Sequence, residues 1–125
     1  MLNQFPVHPT ISVTDLEQAK NFYGDTLGLK SKGEMAKGHI QYEAGEGTVL
    51  LVFQRKDPPR AENTVASFWV DDVESVVKEL RERGVKFEEL DSPELKTVNG
   101  VATMGEAKAA WFKDPEGNIL AISSS

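Results

Sequence analysis

Cysteine is absent from the 125-residue chain. Disulfides, thiolate metal sites and cysteine nucleophiles are excluded with it. Positive charge is also scarce: 14 Lys and Arg face 20 Asp and Glu, for a net charge of −6. That balance argues against binding nucleic acid or an anionic membrane, both of which call for clustered basic residues. No apolar run approaches the roughly 20 residues that span a bilayer. Residues 1–6 lack the charged start and apolar stretch of a signal peptide, so a cytoplasmic protein is expected. What remains, 39% hydrophobic and 27% charged residues, is the composition of an ordinary soluble globular protein. The length suits one compact domain, or two small modules sharing a core.

The chain repeats itself. Residues 11–29 begin as an alternating strand and run into Thr14, with Glu17 placed to complete a capping box. Leu16, Ala19, Phe22, Tyr23 and Leu27 then recur at helical spacing, and Gly28 is suited to end the helix. Residues 66–85 follow the same logic: a strand leads into Asp71 with Glu74 behind it, Val73, Val76, Val77 and Leu80 form the buried stripe, and Gly84 is the stop. Two hairpins repeat as well, with Ala44 to Thr48 matching the Asp114 to Asn118 turn, so that Leu51 corresponds to Ala121 and Gln41 to Trp111. The offset between the copies grows along the chain. An insertion is therefore expected at residues 90–107, whose Pro, Gly, Thr and Ser content reads as a loop. Each half is expected to be a strand, a helix and about three strands: module one at 5–54 and module two at 64–122, joined by a polar linker at 55–63 containing Pro58 and Pro59. The Gly45-Glu46-Gly47 stretch reads as a turn, not a phosphate loop.

A duplicated βαβββ unit resembles the vicinal oxygen chelate superfamily, which includes glyoxalase I, extradiol dioxygenases, fosfomycin-resistance enzymes and bleomycin-binding proteins. The likeness runs from Val7 to Ile122. It is most specific at residues 13–16, at 22–29, and at 111–118 around the Asp114-Pro115-Glu116-Gly117-Asn118 turn. It implies an α+β fold of two tandem βαβββ modules, with paired curved sheets and helices outside, and an expected homodimer. In metal-dependent members the ligands come from the first and last strand of each module. Carried onto this chain, those positions are His8, Leu51, Val65 and Ala121. One imidazole does not supply the three or four N or O donors a divalent ion requires. The resemblance thus implies a copy whose metal site is lost, and no cofactor is expected. His39 does not restore the set, because its strand should lie two ladder spacings from that of His8, roughly 10 Å away.

The remaining candidates lie on strands. His8 reads either as an imidazole satisfied by backbone or as a hydrogen-bonding or proton-transferring group at a cavity floor. Alternation puts Val65, Ser67 and Trp69 on one strand face, Ala109, Trp111 and Lys113 on another, and Phe53 with Leu51. Trp69, Trp111 and Phe53 serve either core packing or the walls of an apolar pocket. Glu43 and Lys113, equivalent in the repeat and opposite in charge, are solvated strand ends or anchors for a ligand's polar ends. Residues 95–105 read either as a lid or as an inert loop.

The first expectation is a metal-independent protein that binds an apolar or aromatic small molecule in a cavity between sheets. In it, His8, Gln41, Ser67 and Glu43 orient a ligand held by Leu51, Phe53, Val65, Trp69, Trp111 and Ala121. The alternative is a glyoxalase-like lyase or isomerase, or a dioxygenase-related enzyme, in which His8 or Glu43 moves a proton. Neither nucleic acid nor membrane is an expected partner.

Overall fold

The computed structural model describes all residues, 1–125, and the chain divides into two compact units, Met1–Pro59 and Arg60–Ser125. In the first unit β1 (Thr10–Val13) leads into α1 (Leu16–Ala19). The strands β2 (Lys30–Ala36), β3 (His39–Glu43) and β4 (Val49–Gln54) follow, and the sheet order is β1-β4-β3-β2. β1 runs parallel to β4, and the other pairs are antiparallel. Alternation then sorts the side chains: Ile11, Val13, Ile40, Tyr42, Leu50 and Val52 are buried on one face, where Tyr23 from the helical segment meets Tyr42 with ring centroids 6.1 Å apart. Burial pushes the Tyr42 hydroxyl above its ordinary pKa.

Two local expectations are corrected here. The cap of α1 is Asp15 and not Thr14: the Asp15 carboxylate accepts a hydrogen bond from the Gln18 amide at 3.0 Å. An ionised carboxylate is the better partner for the positive end of a helix. The helix is also α-wound only as far as Ala19, and continues through Lys20–Thr26 with the wider π winding before Gly28 turns the chain at φ 76°. Within this segment the adjacent rings of Phe22 and Tyr23 meet edge to face at 5.2 Å, with Tyr23 fully buried.

The second unit is β5 (Thr64–Trp69), α2 (Val73–Glu82), β6 (Thr97–Val98), β7 (Val101–Met104), β8 (Ala107–Lys113) and β9 (Ile119–Ser124), in the sheet order β5-β9-β8-β7-β6. Asp72 caps α2 by accepting from the Ser75 amide at 3.2 Å, one residue later than the expected Asp71, because Val73 is the first residue of the buried stripe. Gly84, at φ 93°, closes the helix in a Schellman arrangement, with Val85 N–H bonded to the Leu80 carbonyl and Gly84 N–H to that of Arg81. Val73, Val77 and Leu80 belong to the same core as Ala110, Phe112, Leu120 and Ile122. The two repeated turns close alike: Ala44 N–H bonds to the Thr48 carbonyl, and Asp114 N–H to that of Asn118. No helix is long and apolar enough to cross a membrane.

The inserted stretch is not a plain loop. Asn99 and Gly100 both adopt positive φ, 53° and 81°, which makes the two-residue turn of a hairpin pairing Val98 with Val101. Glu89 holds it: its carboxylate accepts from the Thr97 hydroxyl and from Gly100 N–H, each at 2.7 Å. The Thr97 hydroxyl first, and the Gly100 amide second, keep this exposed carboxyl below its ordinary pKa of 4.5. A depressed folded-state pKa contributes stability above the unfolded value that is lost as pH falls through the folded one. Gly100 N–H should therefore lose hydrogen-exchange protection as the pH is taken below 4.5, ahead of the β8 amides. Equal loss at both places would dissociate Glu89 from the hairpin's stability.

Candidate functional site

Each sheet has a second face, away from its buried one. In the first unit, register places Ser12, Phe53 and His39 in one row, Thr10, Leu51 and Gln41 in the next, and Val49 with Glu43 beyond. Leu51, Phe53, His39, Gln41 and Glu43 are all half-buried. The His39 ring stacks on Phe53 with centroids 5.9 Å apart and planes 14° from parallel, while its Nδ1 lies 3.1 Å from the Lys37 carbonyl oxygen. Lys30 and Lys32 approach the Glu43 carboxylate at 3.9 and 3.8 Å. Glu43 is thus an ion-paired residue at a strand end. Lys113, its counterpart in the repeat, likewise pairs with Glu88 at 3.3 Å.

In the second unit, one row reads Ser67, Ala121, Trp111 and the next Trp69, Ser123, Ala109, Ala102. Ser67 and Ser123 share a hydrogen bond between hydroxyls at 2.8 Å, which fixes them on the same side. The alanines at 102, 109 and 121 are buried and form a low floor. Trp111 stands half-buried beside it, and Trp69 is 72% exposed. What this face presents outward is therefore the two indole rings, with the linked hydroxyls of Ser67 and Ser123 beside them. Gathered on this face are Ser67, Trp69, Trp111 and Ala121; on the face of the first unit lie Gln41, Glu43, Leu51 and Phe53.

Two expected members sit differently. His8 lies two residues ahead of β1, in exposed chain; Pro9 is the first residue to join the ladder, its carbonyl accepting from Leu51 N–H at 3.0 Å. At Val65 the β5–β9 register slips, since Thr64 pairs with Ile119 but Ala66 with Leu120. That bulge makes Val65 the extra residue and interrupts its alternation with Ser67 and Trp69. Two residues enter that sequence reasoning left out of the site: Ser123, legible as the alternate of Ala121, and His39, whose stacking on Phe53 follows from the β3–β4 register.

The donor set does not fit a metal. Three of the four positions that the resemblance implies for metal ligands carry Leu51, Val65 and Ala121, whose side chains have no donor atom.

With this geometry in place, comparison with known proteins identifies the class. The profile of the Glyoxalase/Bleomycin resistance protein/Dioxygenase superfamily matches residues 6–122, and the chain belongs to that superfamily. Among solved structures, it resembles a glyoxalase family protein from Bacillus anthracis at 17% identity and a TM-score of 0.76, with 98% of this chain and 95% of that one covered. A glyoxalase family protein from Enterococcus faecalis is 23% identical over 98% and 99% of the two chains, with a TM-score of 0.71. A glyoxalase/bleomycin resistance protein from Streptomyces sp. CB03234 is 26% identical over 92% and 96%, with a TM-score of 0.67. No curated protein matches the sequence. The α+β fold of two sheets, with four and five strands, is that of the superfamily.

Proposed function

We propose that the protein binds an apolar or aromatic small molecule without a metal, and that the face of the second sheet bearing Ser67, Trp69 and Trp111 is its main contact surface. The observation that carries this reading is the row Ser67, Ala121, Trp111 beside the exposed Trp69: an apolar floor stands where a ligand carboxylate would be needed, with indole rings around it. The half-buried Leu51, Phe53 and Gln41 give the first unit a face of similar character. A homodimer is part of the proposal, supported by the exposure of Leu2, Phe5, Val7 and Trp69; sedimentation at graded concentration tests it. The competing lyase or isomerase reading would rest on His8 or Glu43. It is the weaker one, because His8 lies outside the sheet and Glu43 is engaged by two lysines.

The direct test of metal independence is thermal melting of chelator-stripped protein with Zn²⁺, Ni²⁺, Mn²⁺ or Fe²⁺. An ion at 100 times its dissociation constant adds about 2.7 kcal/mol, several degrees for a chain of this size. No shift is expected with any of them. A shift that disappears in His8→Ala would overturn the reading and return a metal-dependent enzyme to the front.

A further inference from the structure

The other side of the second sheet carries a groove that the proposed function does not use. Helix α2 packs on β8 and β9 and reaches the β6–β7 hairpin through Arg81 at its turn, and an open cleft of about 780 Å³ lies between the helix and the hairpin. That volume falls within the range of small-molecule sites. Its helix wall is built from Glu74, Val77, Lys78, Arg81 and Glu82, spaced three and four apart so that they share one helix face about 12 Å long. Register dictates the opposite wall. Val98 pairs with Val101, and Thr103 with Lys108, so these four side chains and Lys96 project to the helix side.

Charge distinguishes this place from the rest of the molecule. Four basic and two acidic residues line the groove, in a chain whose totals are 14 and 20. Glu74 is bonded to Lys108, and Arg81 donates to the Asn99 carbonyl at 2.9 Å while lying over the Phe87 ring. Lys78 and Lys96 take part in none of the six ion pairs. The same lining includes apolar surface from half-buried Val101 and from Val98, which is 67% exposed, with Val77 buried behind them. A groove that joins an exposed apolar patch to unpaired ammonium groups complements a molecule with an apolar body and one anionic end.

We propose that this groove binds an aliphatic monocarboxylate, its chain along Val98 and Val101 and its carboxylate at Lys78 and Lys96. The site is separate from the tryptophan-bearing face and does not depend on the function proposed for it. Decanoate is the probe, with decylamine and decanol as partners of the same chain length. Calorimetric titration of the intact protein should show saturable binding of decanoate and none of decylamine, with decanol much weaker than the acid. Lys78→Glu combined with Lys96→Glu should raise the decanoate Kd about tenfold or more, since each exposed ion pair supplies only a modest share of binding. Val98→Asp should weaken it as well, whereas Trp69→Ala should leave it unchanged. Both Lys side chains and Val98 are exposed, so the variants are expected to fold; circular dichroism checks this. Decanoate binding that survives both groove variants, that is lost in Trp69→Ala, or that does not saturate would overturn the proposal.

Discussion

Asp114→Ala should lower the unfolding free energy by about 3 kcal/mol and the melting temperature by roughly 10 °C. The residue is only 4% exposed, and its carboxylate accepts three hydrogen bonds: from Glu116 N–H at 3.0 Å, Asn118 N–H at 2.8 Å and the Asn118 side-chain amide at 2.8 Å. Alanine leaves those donors without this acceptor, and Asn118 is itself 3% exposed, so water does not readily replace it. Asparagine keeps one oxygen for the two backbone amides but offers an amide to the Asn118 side chain; about half the loss is expected from Asp114→Asn. Urea titration with an unchanged m-value is the measurement. A loss under about 1 kcal/mol would show that the strands and not the carboxylate hold the turn. The consequence reaches the proposed site, because this turn sets the register that places Trp111 opposite Ala121.

The second large effect is on binding and not on folding. Trp69 is 72% exposed, so Trp69→Ala should change stability by no more than about 0.5 kcal/mol. An indole that anchors a ligand contributes about 2 kcal/mol, which predicts a roughly 30-fold weaker affinity. The aromatic probe 8-anilinonaphthalene-1-sulfonate, followed by calorimetry, provides the readout. Its neighbour gives the control: Phe68 points to the opposite, helix-packed face, so Phe68→Ala should destabilise the fold while sparing the affinity of the protein that remains folded. Equal affinity in wild type and Trp69→Ala would remove the exposed indole from the site.

Much of this architecture was legible because it rests on short-range rules. The period-two alternation in Gln41 to Glu43, Leu51 to Phe53 and Ala109 to Lys113 survives intact in the register of the strands. Gly28 and Gly84 stand where helices must reverse into positive φ. What escaped depends on competition between similar neighbours. Thr14 and Asp15, or Asp71 and Asp72, differ as caps by a fraction of the cap's own energy, so spacing alone does not choose between them. The bulge at Val65 inserts one residue without any proline or glycine to mark it. The β6–β7 hairpin, by contrast, carried its own signal in Asn99-Gly100, outweighed in the reading by the loop-like composition around it. For the site, residue types and faces followed from alternation. The distance of His8 from the ladder and the stacking of His39 on Phe53 did not, since both depend on where a strand begins pairing.

Strand β2 bears on how crowded solutions treat this protein. It is the outer strand of its sheet, every one of its residues is exposed, and its pairing with β3 slips twice, between Ser31 and Glu34 and again before Ala36. Lys30, Lys32 and the positive φ of Gly33 interrupt the row of free amides and carbonyls that another chain would need for templated growth. A protein with an exposed indole and an apolar N-terminal segment has good reason to precipitate when concentrated. Along this edge, contact with a neighbour is left to side chains, which release it easily, and is kept off the backbone, where contact between chains propagates into fibrils.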